Sequence, residues 1–169
     1  AVASLAIAFS LTACSDVSWV CKINGTELNA GVYIYYEIMG KDAATSILSK
    51  QNFTDDIFTQ SLDGKDMKTY IRDYAMDKCK RAVATNSMFD ELGLTLSDTD
   101  KKTIKKTVDD TWDQNGDKFT KYGVSKQSLT YIVENRTKEN LVFEKYYGEG
   151  GLEAVSNSEI NAQIPKDYA

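Results

Sequence analysis

The sequence predicts a mainly α-helical protein, a helical bundle pinned by one short N-terminal β-hairpin. Three observations predict it. Apolar residues from Met67 to Leu92 recur at i, i+3, i+4 spacing. Helix-start serines (Ser97, Ser125) and helix-stop glycines (Gly93, Gly148) punctuate the chain after that run. A run of β-formers around an Asn-Gly turn occurs near the N-terminus, over 17–29.

Ala1 to Cys14 is an apolar, small-residue run that ends Leu11-Thr12-Ala13-Cys14. At about 13 residues it falls short of the ~20 that a spanning helix needs, and it has the character of a secretory signal's apolar region. Residues 1–13 are therefore set aside as a processing segment, leaving 14–155 as the folded domain and 156–169 as a terminal linker helix. In Val17 to Ile23, Val, Ile and Trp favour an extended chain, and Asn24-Gly25 supplies the two positive-φ residues of a type I′ turn. The return strand, Thr26 to Asn29, leads into a helix expected over about 30–49. In that helix Val32, Tyr33, Ile34, Tyr35, Tyr36, Ile38 and Met39 are too dense for a one-faced stripe, and an interruption is expected near Gly40. Gln51 to Gly64 reads as a loop carrying Phe53, Ile57, Phe58 and Leu62.

Asp66 opens the strongest helix, which Gly93 stops. Ser97 with Asp100 gives a relative of the capping box, ahead of Ile104, Val108 and Trp112 on one face, and Gly116 is read as that helix's end. Ser125 caps a further helix through Leu129, Ile132, Val133, Leu141 and Phe143 to Gly148. A last short helix is expected from Ser156 or Ser158 to Pro165.

Composition narrows the function classes. Twenty basic and twenty-five acidic residues, net −5, are interspersed without a Lys/Arg cluster, which argues against nucleic acid as a partner. The chain has no His, which removes Ser-His-Asp triads, Cys-His dyads and HExxH zinc sites. Gly148, Gly150 and Gly151 follow a helical pattern and so read as a stop, not a phosphate loop. No cofactor, metal site or catalytic residue is assigned. Asp55-Asp56 and Asp109-Asp110 read as solvated surface carboxylates, since neighbours on a helix point to different faces. Cys21 and Cys79 either pair or sit as two buried thiols.

Two resemblances add to this reading. Leu11-Thr12-Ala13-Cys14, followed by polar Ser15-Asp16, resembles a bacterial lipobox. That implies cleavage before Cys14, a lipid on its sulfur, and a protein tethered to the extracytoplasmic face of the membrane. The order of three further pieces resembles extracytoplasmic foldases of the PrsA/SurA type. They are Val20-Cys21-Lys22-Ile23-Asn24-Gly25-Thr26-Glu27-Leu28, then Leu92-Gly93-Leu94-Thr95-Leu96-Ser97-Asp98, then Val155-Ser156-Asn157-Ser158-Glu159-Ile160 with Asp167-Tyr168-Ala169. Asn157 stands where the family usually has Asp, and Pro165 falls where its last helix would continue.

The resemblance implies a SurA N-terminal-like bundle that holds unfolded exported proteins, preceding a parvulin prolyl-isomerase domain whose catalytic residues would lie beyond Ala169. Client contact calls for exposed, dispersed aromatics, and ten Tyr and six Phe are available. Tyr35, Tyr36, Phe53, Phe58 and Trp112 are the candidates. Homodimerisation is left open. The competing reading is a lipoprotein that scaffolds a dedicated membrane or cell-wall partner.

Overall fold

The computed structural model describes residues 19–50, 56–154 and 156; the side chains of Trp19 and Cys21 lie outside the described set. Strands β1 (Trp19–Ile23) and β2 (Thr26–Asn29) pair antiparallel, with Ile23 opposite Thr26 and Cys21 opposite Leu28. Asn24 (φ 49°) and Gly25 (φ 84°) make the turn, as the Asn-Gly pair predicts. Helix α1 (Ala30–Lys50) starts directly from β2, because the Asn29 side-chain oxygen accepts the Gly31 N–H at 2.7 Å and satisfies one of the orphan donors of the first turn.

The expected interruption at Gly40 does not occur: α1 runs through it. Gly40 is buried where the Tyr74 ring comes so close that an added Cβ would sit 3.0 Å from it. The glycine is thus a site of close helix–helix approach rather than a break. The segment read as a loop is also more ordered where it is described. A 3₁₀ turn (Ile57–Thr59), capped by Asp56, leads into a second tiny hairpin, β3 (Ser61–Leu62) and β4 (Lys65–Asp66). Asp63 (φ 52°) and Gly64 (φ 73°) turn it, an Asp-Gly pair of the same type I′ class.

Helix α2 (Met67–Glu91) begins where expected: Asp66 accepts the Thr69 N–H at 3.0 Å and the Thr69 hydroxyl at 2.7 Å. It ends in a Schellman motif at Gly93, with the Leu94 N–H donating to the Phe89 carbonyl and Gly93 to Asp90. Helix α3 (Asp98–Tyr122) opens with the complete Ser97/Asp100 capping box. It does not end at Gly116. The chain stays helical there, and the Trp112 indole one turn earlier lies across Gly116, at 2.9 Å from where a Cβ would be. The stop is Gly123 (φ 84°), whose left-handed backbone lets the Val124 N–H reach the Phe119 carbonyl. Helix α4 (Lys126–Tyr147) is capped by Ser125 and stopped at Gly148, both as expected. The helix expected from Ser156 or Ser158 to Pro165 lies outside the described residues, as do Phe53 and Cys14.

The protein is mainly helical, with α1 at its centre. It packs on α2, on α4 and on both strands of the first hairpin, while α3 leans chiefly on α4. That placement accounts for the apolar density around α1. Val32 joins Leu28, Cys79, Val83 and Ile132 in one cluster. Ile34 and Ile38 pack on a second cluster of Ile104, Val108, Phe119, Val124 and Leu129. Ala44 and Leu48 join Met67 and Ile71 in a third. No helix among the described residues is long and apolar enough to cross a membrane.

The carboxylates are engaged in local structure. Asp109 takes Lys105 at 2.5 Å and Lys126 at 2.7 Å, which ties α3 to α4 and holds its carboxyl down at about 2; Asp110 pairs with Lys106. Asp66 and Asp100 are likewise held below the usual range by the backbone and hydroxyl donors of their helix starts. Depressed folded-state values mean stability that is present above the ordinary carboxylate value of 3.8 and is lost as pH falls toward 2. Thermal melts should therefore hold a steady Tm from pH 7 to about 5 and drop below about pH 4. Asp109→Asn should shallow that acid limb.

Candidate functional site

The two sides of α1 carry the concave surfaces of interest. On one side a groove of about 400 Å³ runs between α1, the 3₁₀ turn, α2 and the end of α3. Its apolar lining includes Ile34, Ile38 and Ile71, with Phe58 and Tyr122 beside them. Those two rings are 45% and 52% exposed, a large apolar surface left to solvent. Lys41, Lys68 and Lys118 stand exposed around the groove, and Lys41 Nζ lies 5.6 Å over the Phe58 ring. Flexible cationic stems around an apolar floor can cover it when empty and fold back when it is filled.

Sequence and chain geometry explain why Phe58 is there. Asp56 accepts the Phe58 N–H at 3.0 Å, and the Thr59 N–H and hydroxyl both return to the Asp56 carbonyl, which winds a single tight turn. Ile57 then packs against the third cluster, under α1 and α2, and leaves its neighbour Phe58 outside.

On the other side of α1 lies a smaller cleft of about 230 Å³ between α1, α2 and α4, lined in part by Tyr35, Tyr36, Met39 and Tyr74. Tyr35 and Tyr36 meet edge-on with ring centroids 5.9 Å apart, and Tyr35 leans on Phe119 at 5.7 Å. Burial pushes both phenols above their usual value, with a neighbouring Arg136 pulling Tyr35 back. Tyr33, next to them, is pushed up to about 12 by desolvation and by the Glu37 carboxylate. These hydroxyls keep their protons at neutral pH and serve as donors.

The structure thus separates the sequence candidates. Phe58 is exposed in the larger groove; Tyr35 and Tyr36 are half-buried in the smaller cleft. Trp112 is half-buried, packed against the second cluster with its ring centroid 6.2 Å from that of Phe119. Tyr122 was missed. With Gly116 read as the helix end, Tyr122 fell in the expected connection to Ser125 and carried no signal of its own. Asp109 and Asp110, and Asp56 of the other carboxylate pair, are accounted for by ion pairs and a cap, and no three His, Cys, Asp or Glu side chains among the described residues are grouped to hold a metal ion. Comparison with known proteins finds no matching family model, no matching curated sequence and no matching solved structure, so the meaning of the groove and the cleft rests on their own chemistry.

Proposed function

We propose that the chain is the client-holding part of a membrane-tethered extracytoplasmic foldase of the PrsA/SurA type, with a SurA N-terminal-like bundle, anchored through a lipid on Cys14. The observation that carries the reading is the larger groove. Its apolar floor lies between α1 and α2, its aromatic edges at Phe58 and Tyr122 are exposed, and its rim carries Lys41, Lys68 and Lys118 with Glu37 and Asp42. Such a surface suits weak contact with many unfolded sequences, because it offers apolar area without a fixed hydrogen-bond pattern. X-Pro isomerisation takes tens to hundreds of seconds uncatalysed, so holding a client near an isomerase domain has a physical use. The tether implied by the lipobox would keep that work at the membrane, where two acyl chains anchor stably and one does not.

The test is suppression of aggregation of an unrelated unfolded protein by an equimolar or smaller amount of the chain, alongside a prolyl-isomerase assay on a short peptide. Suppression without isomerase activity is the expected result; failure to suppress sinks the reading. Phe58→Glu with Tyr122→Glu places two carboxylates in the groove and should raise the amount of chain needed severalfold. Both residues are about half exposed, so the melting temperature should hardly move.

A second reading, a lipoprotein docked to one dedicated partner, is favoured by the far end of α4. There Phe143 and Tyr147 are 63% and 49% exposed with ring centroids 5.1 Å apart. Replacing both by Ser should leave aggregation suppression unchanged if the groove is the working surface.

A further inference from the structure

The smaller cleft on the other side of α1 carries a larger positive surplus than the groove, where Lys41, Lys68 and Lys118 stand with Glu37 and Asp42. Lys78 and Arg81 on α2 and Arg136 on α4 surround it, with Glu139 as the opposing carboxylate. Arg81 and Glu139 meet at 4.0 Å, at the edge of an ion pair, and Lys78 lies 5.6 Å over the Tyr74 ring. Among the described residues Arg136 forms no ion pair. Three cations against one anion leave the cleft net positive on a chain whose net charge is −5. By contrast Lys65 is matched with Asp73, and Lys105 and Lys126 with Asp109. The walls are aromatic and apolar: Tyr36, Tyr74 and Met39, with Ala82 and Ile132 at the base.

Size narrows the occupant. A volume of about 230 Å³ lies below the ~300–1,000 Å³ of sites that enclose cofactor- or drug-sized ligands. It suits one or two side chains of a longer molecule that passes over the surface.

We infer that this cleft binds a segment of unfolded polypeptide in which an aspartate or glutamate adjoins an apolar side chain, the apolar group seated between Tyr36 and Tyr74 and the carboxylate meeting Arg136 and Lys78. The inference rests on the client-holding reading and gives it a selectivity: acidic-apolar segments are held here. Arg136 contributes a planar fork suited to a carboxylate, and Lys78 a second charge at the rim. The protonated phenols of Tyr35 and Tyr36 add donors that require no counter-charge.

The test uses the full chain and three fluorescently labelled, unstructured twelve-residue peptides. They are identical in their Phe and Leu content and differ in carrying Glu, Gln or Lys between those residues. By anisotropy at low salt the Glu peptide should bind about tenfold more tightly than the Gln peptide, and the Lys peptide most weakly. The Glu preference should fade between 0.1 and 1 M salt, as the screening length falls from about 10 to about 3 Å. Arg136→Gln with Lys78→Gln should erase the preference while leaving Gln-peptide binding and the melting temperature unchanged. Equal binding of the Glu and Gln peptides overturns the inference, as does a preference that survives in the double variant. N-acetyl-phenylalanine binding as tightly as the Glu peptide would make this a small-carboxylate site and likewise overturn it. The aggregation assay separates the two levels: intact suppression with no acidic preference removes this inference alone, and loss of both removes the client-holding reading with it.

Discussion

Leu129→Ala should destabilise the protein by about 2–5 kcal/mol, the range for emptying a buried leucine site, and lower the melting temperature by roughly 5–15 °C. Leu129 is 1% exposed and sits in the second cluster with Ile104, Val108, Phe119 and Val124. That cluster attaches α3 to the rest of the molecule, because α3 rests chiefly on α4. The loss is therefore expected in the α3–α4 contact first. Hydrogen exchange should show protection falling across Asp98–Tyr122 while the middle of α2, buried at Ala75, Cys79 and Ala82, keeps its own. A uniform loss across both helices would mean that the second cluster is not a separate unit of stability.

Gly31→Ala should destabilise by about 1–3 kcal/mol, opposite in sign to the usual gain of roughly 0.5–1 kcal/mol for replacing a helical glycine with alanine. The reason is a polar junction between two helix starts. Asn29 caps α1 through the Gly31 N–H and also accepts the Ser128 hydroxyl at 3.1 Å, while Ser128 lies in the first turn of α4 and donates its N–H to the Ser125 cap at 3.0 Å. A methyl group at position 31 would stand 2.4 Å from the Ser128 oxygen and 3.1 Å from both the Asn29 oxygen and the Ser128 Cβ. Ser128 is 2% exposed and has little room to retreat. A urea-denaturation cycle checks this. Ser128→Ala removes the closest atom, so the double variant should be less destabilised than the sum of the single ones. Strict additivity would mean that the crowding is relieved some other way.

Much of the helix layout was legible because local chemistry sets it. Asp66, Ser97 and Ser125 start helices by hydrogen bonds within three residues, and Gly93 stops one by adopting a left-handed backbone. The Asn24-Gly25 turn is equally local. Asp63-Gly64 carried the same signal, hidden because its strands are two residues each, too short to show alternation. Gly40 and Gly116 were misread for one reason. A glycine inside a helix looks like a break in sequence, but here each makes room for an aromatic ring: Tyr74, from another helix, at Gly40, and Trp112, from the same helix, at Gly116. The candidate site was less legible still. Aromatic content pointed to Tyr35, Tyr36 and Phe58, but exposure depends on what stands opposite each ring.

The sequence by itself determined the mainly helical class, the first hairpin and the starts of α2, α3 and α4, since hydrogen bonds among near neighbours and left-handed glycines decide those. Only the tertiary structure decided that α1 is central, that Trp112 is half-buried against the second cluster while Phe58 and Tyr122 are exposed, and that Lys78, Arg81 and Arg136 meet around one cleft. These features join residues from three helices, and their separation in space follows from which faces the buried clusters claim, a competition that no single stretch of sequence contains.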